Sequence, residues 1–215
     1  YYRSDRTIDI NKVFLYTLAL SPYEIWWEDY TYTQDNGEEY EETLFVYEYD
    51  AYHEVNQAID EITMPYLSSF YPIEHQIEYV YEELINQVSY DDNAVNDEER
   101  TSNSFDAYGA LIEHKAVCHG YALAYLGALK DIHVPTILIT SDIDDHAWNM
   151  VYYEGEWTFF DVTYEDSDDI DDGYYYYYAL NKEELELDHR FDQRSDSTLS
   201  YDEYMELAEF IFDVE

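Results

Sequence analysis

With 51 Asp+Glu against 9 Lys+Arg in 215 residues, the chain carries a formal net charge of −42. Such a molecule repels phosphate backbones and anionic lipid surfaces, which excludes nucleic acid and membrane insertion from its partners. Apolar residues (47%) and aromatic residues (19%) are ample for a core, so a disordered acidic tail is excluded too, and no apolar run is long enough to cross a bilayer. A single cysteine rules out an internal disulfide and leaves the redox compartment unread. The chain begins Tyr-Tyr-Arg-Ser-Asp without an initiator methionine, and reads as a mature or trimmed form.

The length suits one domain with an extension, and a boundary is placed at residue 71. Residues 1–71 read as an N-terminal extension of helix and strand, and 72–215 as the core with a C-terminal helix. Residues 10–20 (INKVFLYTLAL) form a short buried helix. Ser21-Pro22-Tyr23-Glu24 has the pattern of a helix start, with a serine cap and a reciprocal glutamate. Asp35-Asn36-Gly37 signals a turn and Thr43–Tyr49 a strand. Helical spacing returns at Val55, Ile59 and Ile62, and Pro65 ends it. Pro72 opens a firmer helix, whose Ile73, Ile77, Val80, Tyr81, Leu84, Ile85 and Val88 share one face. His53 and His75 lie on helices beside carboxylates as surface residues, and the acidic tract Asp91–Glu99 reads as a solvated loop.

From Ala107 the character changes. Cys118 precedes a run containing Ala122, Ala124, Gly127 and Ala128, which keeps one side of a helix slim enough to lie close against a sheet. In the first turn of that helix, unpaired N–H groups and the positive end of the dipole favour thiolate. The plain alternative is an inert core thiol beside Ala and Val. Thr136–Thr140 is a strand. A second strand runs from His146 to Tyr153, Glu154-Gly155 supplies a tight turn, and Trp157–Thr163 returns. A loop of Glu154-Gly155 puts Asp161 opposite Trp148 and one diagonal step from His146. A loop of Tyr153-Glu154 puts Asp161 directly opposite His146. Both registers bring imidazole and carboxylate to one face, because side chains alternate with period two. A lone thiol with a histidine and a carboxylate gathered by a hairpin is an arrangement for attack on a carbonyl.

Past the hairpin, Glu165–Gly173 is calcium-like in composition but lacks the alternate-position spacing of an EF-hand loop, and reads as a solvated acidic loop. Tyr174–Leu180 reads as a strand. Asn181-Lys182-Glu183-Glu184 is a capping box, Asp188-His189-Arg190 a local salt-bridged structure, and Ser200 with Glu203 starts a last helix presenting Tyr204, Leu207, Ala208, Ile211 and Phe212.

The segments AYGAL…KAVCHGYA, DHAWNMV and WTFFDVT resemble the three catalytic boxes of the transglutaminase-like superfamily, in its bacterial cysteine-peptidase branch. YYYYYALNKEELELDHRFD resembles the segment that follows the core, so the likeness runs over about residues 72–194. His114 departs from it, since glycine is common there. The resemblance implies an α+β, papain-like core with an active-site helix packed on an antiparallel sheet. It implies Cys118 as nucleophile, His146 as base and then acid, and Asp161 as the residue that orients His146. The Cys118 N–H is one oxyanion donor; Tyr108 is taken as the second. His119 is a rim or substrate-contacting residue, and Trp148 a wall beside the His146 ring.

The expected activity is cysteine-dependent amide hydrolysis of a protein or peptide, by a peptidase or isopeptidase using no metal and no cofactor. A transglutaminase with an amine acceptor is the alternative, and an inactive binding module of the same fold the third reading. Resemblance and acidity together suggest an extracellular or cell-surface bacterial protein.

Overall fold

The computed structural model describes residues 10–22, 26–33, 39–46, 49–65, 71–96, 102–166, 175–194 and 197–212. The chain opens with α1 (Ile10–Leu20), closed where Ser21 N–H donates to the Leu18 carbonyl at 3.2 Å. The helix start expected at Ser21–Glu24 falls partly outside the described residues, and by Trp26 the chain is already extended. There β1 (Trp26–Thr33) pairs antiparallel with β2 (Glu39–Val46), from Trp26↔Val46 to Thr33↔Glu39. The strand expected at Thr43–Tyr49 is thus displaced towards the N-terminus, and the Asp35-Asn36-Gly37 turn lies outside the described residues.

The helix α2 (Tyr49–Thr63) buries Val55, Ile59 and Ile62 and ends just before Pro65. Pro72 opens α3 (Ile73–Gln87), which buries Ile77, Val80, Tyr81 and Leu84 at three- and four-residue spacing. Ile73, in the first turn, is exposed. Two short strands, β3 (Ser89–Tyr90) and β4 (Lys115–Ala116), pair in parallel. Between them run 3-10 turns at Ala94–Asn96 and Asn103–Phe105 and a π-turn at Gly109–Glu113.

Next comes α4 (Cys118–Asp131), in which every residue from Gly120 to Leu129 is buried. A helix apolar all round has to be central, and this one is. On one side lie β5 (Thr136–Ser141), β6 (His146–Tyr153) and β7 (Glu156–Phe160), an antiparallel sheet in that order. Leu138, Ala147, Val151 and Phe160 share an apolar cluster with α4, and Val55, Ile59 and Ile62 of α2 and the buried face of α3 belong to it too. So α2, which precedes residue 71, packs in the same core as the residues after it. A second cluster joins Ile137, Ile139, Trp148, Met150 and Phe159 to Leu15 and Ala19 of α1. The architecture is α+β, with the helix on the sheet.

The slim side of α4 faces helix as well as sheet. A Cβ on Gly127 would come within 2.7 Å of Ile59 Cδ1 on α2, while Asn149 Nδ2 on β6 donates to the Ala122 carbonyl at 3.0 Å.

After β7 the expected return strand stops short. It ends at Phe160, and Asp161 caps α5 (Val162–Glu165). The strand expected over Tyr174–Leu180 is irregular where described, with a single bridge between Phe159 and Leu180. Its tyrosines serve as packing instead: the Tyr178 ring meets those of Tyr81 and Phe160 edge-on. A complete capping box starts α6 (Lys182–Leu185). In α7 (Tyr201–Phe212), Tyr204, Leu207 and Ala208 are buried and Phe212 packs on Trp157, whereas Ile211 is exposed.

Candidate active site

Cys118 is the first residue of α4 and is half-buried. Its N-cap, Val117, has no side-chain oxygen to satisfy the first-turn N–H groups, so the positive end of the helix is left uncapped at the sulfur. The start of the helix is fixed from below: Val117 N–H donates to the Ser104 carbonyl at 2.9 Å. Gly120 makes this approach feasible, since a Cβ there would stand 2.6 Å from Ser104 O and 2.8 Å from Asp106 O. Immediately before β4, His114 ends the turn with φ 54° and ψ 35°, the left-handed conformation glycine adopts most readily. The departure at His114 therefore changes the side chain and keeps a glycine-like backbone.

Two of the hairpin's residues, Glu154 (φ 51°) and Gly155 (φ 91°), both have positive φ, as a two-residue turn of the primed type needs. Tyr153 pairs with Glu156 and Asn149 with Phe160. Continued by one residue, this is the register that sets Asp161 opposite Trp148 and diagonal to His146. His146 Nε2 lies 2.5 Å from Asp161 Oδ2. The other carboxylate oxygen accepts the backbone N–H groups of Thr163 (2.9 Å) and Tyr164 (3.1 Å), which fixes its orientation. The rings of Tyr164 and Trp148 stack on the imidazole at centroid distances of 4.4 and 5.8 Å.

His146 is 8% exposed and Asp161 1%. Burial pulls the His146 pKa down, but the charge and hydrogen bond of Asp161 outweigh it, helped by a hydrogen bond with Cys118, and carry it up to about 10. For Asp161 burial acts upward and is outweighed by the His146 charge and by hydrogen bonds from His146 and His189, which bring it down to about 2. With Nε2 held by Asp161, Nδ1 is the ring nitrogen left for the sulfur. An imidazole held between a carboxylate and a thiol can take the proton from sulfur, and the imidazolium so formed can return it to a leaving group.

Cys118 and His146 open on a cleft of about 130 Å3, lined also by Tyr90, Phe105, His119 and Asp145. His119 sits on this rim, its Nδ1 2.7 Å from the Phe105 carbonyl. Tyr108 has other partners: its hydroxyl donates to Glu54 Oε2 at 2.9 Å, and it does not line the cleft. A tyrosine that does is Tyr90, whose pKa burial and the Cys118 charge push up to about 12.

His189, read from the sequence only as part of a local salt-bridged structure, belongs to the site as well. It is 1% exposed, and its Nε2 lies 2.9 Å from the same Asp161 Oδ2. Among the described residues, His146, Asp161 and His189 form the one group close enough to hold a metal ion, but their donor atoms are engaged in hydrogen bonds to one another. Glu165, read as part of a solvated loop, is buried and accepts the N–H groups of Tyr176 and Tyr177, so it anchors the following segment.

Residues 57–162 match the family model of the transglutaminase-like superfamily. No curated protein matches the sequence. Among solved structures, a crystal structure of a TGase superposes with a TM-score of 0.50 at 12% identity, over 95% of this chain and 63% of its own. The chain thus spans less than two thirds of that protein. A crystal structure of a candidate cysteine protease from Cytophaga hutchinsonii gives a TM-score of 0.38 at 12% identity, over 65% of this chain and 64% of that one. At such identities the likeness to the TGase is one of fold.

Proposed function

We propose that this chain, which belongs to the transglutaminase-like superfamily through residues 57–162, is a cysteine-dependent amide hydrolase, a peptidase or isopeptidase that works through a thioester on Cys118. One observation carries the reading: a half-buried thiol at a helix start shares a cleft with an imidazole whose Nε2 sits 2.5 Å from a buried carboxylate. His146 takes the thiol proton, and Asp161 orients the ring and balances the charge that forms on it. The sulfur lone pair makes the C–S bond to the amide carbon, and the carbonyl electrons move to oxygen. The Cys118 N–H and the Tyr90 hydroxyl are the donors assigned to that oxyanion. On collapse the C–N bond breaks, and His146 gives its proton to the departing nitrogen. Water then enters and loses a proton to His146, the C–S bond breaks, and a carboxylic acid leaves. Hydrolysis is favoured over amine transfer because Cys118 stands in an open cleft that water reaches.

The test is incubation of the full chain with unstructured peptides and a primary amine, followed by mass spectrometry. Peptides split by addition of water are expected, with activity abolished by Cys118→Ala and reduced about 10²-fold by Tyr90→Phe. Amine incorporation without cleavage would replace this reading with transglutamination, and unchanged peptides would leave a binding module.

A further inference from the structure

The catalytic carboxylate has two histidines on one oxygen. Asp161 Oδ2 accepts from His146 Nε2 at 2.5 Å and from His189 Nε2 at 2.9 Å. The second nitrogen of His189, Nδ1, lies 2.6 Å from Asp188 Oδ1. A neutral imidazole has one N–H and one lone pair, so it can serve only one of two carboxylates; the other would face a lone pair at hydrogen-bond distance. Both contacts are satisfied only if His189 carries two protons. It is therefore an imidazolium with a carboxylate at each end.

The segment bearing it is pinned on several sides. Arg190 Nε donates to Asp144 Oδ1 and its backbone N–H to Asp144 Oδ2, each at 2.6 Å, on the loop that leads into His146. Asp188 Oδ2 accepts the Tyr177 hydroxyl at 2.7 Å. The His189 ring meets Trp148 edge-on at 4.9 Å. The titratable groups facing His189 are Asp161 and Tyr164 at the start of α5, Asp188, Tyr177, and His146 itself at a centroid distance of 5.4 Å.

We infer that His189 is a positioning residue of the active site: held as an imidazolium by Asp188, it fixes Asp161 against His146 and draws off part of the charge by which Asp161 makes His146 basic. The arrangement is a chain, Asp188–His189–Asp161–His146–Cys118, in which the outermost carboxylate is exposed and the sulfur lies at the other end. Two cations share one anion, so each holds the other's affinity for protons down. The direction agrees with the electrostatics at His189. Burial lowers its pKa, the hydrogen bond and charge of Asp161 and the hydrogen bond of Asp188 raise it, and His146 opposes them; the net direction is up.

This inference rests on Cys118 and His146 being the reacting pair, and its test uses no substrate, so it can fail while amide hydrolysis stands, and the reverse. The histidine ring resonances of the full chain are followed by NMR as pH is raised, in the native protein, in Asp188→Asn and in His189→Gln. In Asp188→Asn the His189 midpoint is expected to fall and that of His146 to rise by about one pH unit, because a neutral His189 no longer competes for Asp161. His189→Gln, which keeps a donor and drops the charge, is expected to shift His146 upward in the same way. Asp188 is exposed, so its variant reports even if His189→Gln fails to fold. A His146 midpoint that stays in place or moves down in Asp188→Asn overturns the inference.

Discussion

Asp161 and Asp91 are both buried carboxylates with two side-chain donors and two backbone N–H donors. Asp91 accepts from Lys115 Nζ (2.8 Å), Ser104 Oγ (2.7 Å) and the N–H groups of Asn93 (3.1 Å) and Ala94 (3.3 Å). Asp161 accepts from two histidines and the N–H groups of Thr163 and Tyr164. Both are drawn down to about 2: Asp91 chiefly by its bond with Lys115, Asp161 against the penalty of burial by the charge of His146. The difference lies in the partner. A lysine keeps its proton at any working pH, so Asp91 is a clasp; a histidine exchanges its proton, so Asp161 can pass charge to the sulfur. Saturation of a buried carboxylate does not mark a catalytic site; the titratable partner is what sets Asp161 apart in the proposed mechanism.

Breaking the catalytic member should give the largest effect. Asp161→Asn removes the charge that outweighs burial at His146, so the His146 pKa is expected to fall, and peptide hydrolysis to drop by about 10³- to 10⁴-fold. In the proposed mechanism a protonated His146 expels the amine, so activity should decline as pH rises through about 10, and this alkaline limb should move to lower pH in the variant. A pH series of kcat/KM reads both effects.

The clasp is broken next. Asp91 holds Ser104, whose carbonyl carries Val117 and lies under Gly120. Gly120→Ala puts a methyl group against two backbone carbonyls and is expected to cost about 1–3 kcal/mol, with activity lost as Cys118 is displaced. Gly127→Ala meets a movable Ile59 methyl and should cost less. Paired thermal melts decide between them.

Asp91→Asn is expected to cost about 1–2 kcal/mol while leaving the His146 titration where it is. For both carboxylates the stabilisation is present above the unfolded value of 3.8 and lost as pH falls towards 2, so acid unfolding should begin at higher pH in Asp91→Asn. For His146 the sign is reversed: its stabilisation is complete below 6.5 and lost as pH rises to about 10.

What the sequence made legible is what depends on short range. The helix start at Cys118, the Glu154-Gly155 turn and the alternation along β6 together bring His146 and Asp161 to one face. Local signals misled where tertiary partners decided. Ser-Pro-Tyr-Glu has the residues of a helix cap, yet Trp26–Thr33 pairs with β2. The tyrosine run has strand propensity, yet Tyr178 is spent on Tyr81 and Phe160. His189 stands 28 residues past Asp161, beyond an acidic stretch with no periodicity to carry a register. The signal that could have found it was the Asp-His pair inside a segment already likened to the family. Tyr90 was hidden similarly, since β3 reaches the cleft only through parallel pairing with β4.

The most direct test is the rate at which iodoacetamide alkylates Cys118 near neutral pH, in the native chain and in His146→Ala. Rapid labelling that the substitution abolishes is expected of a sulfur whose proton His146 takes. Slow labelling, unchanged by loss of the ring, would mean that the sulfur and His146 do not act together.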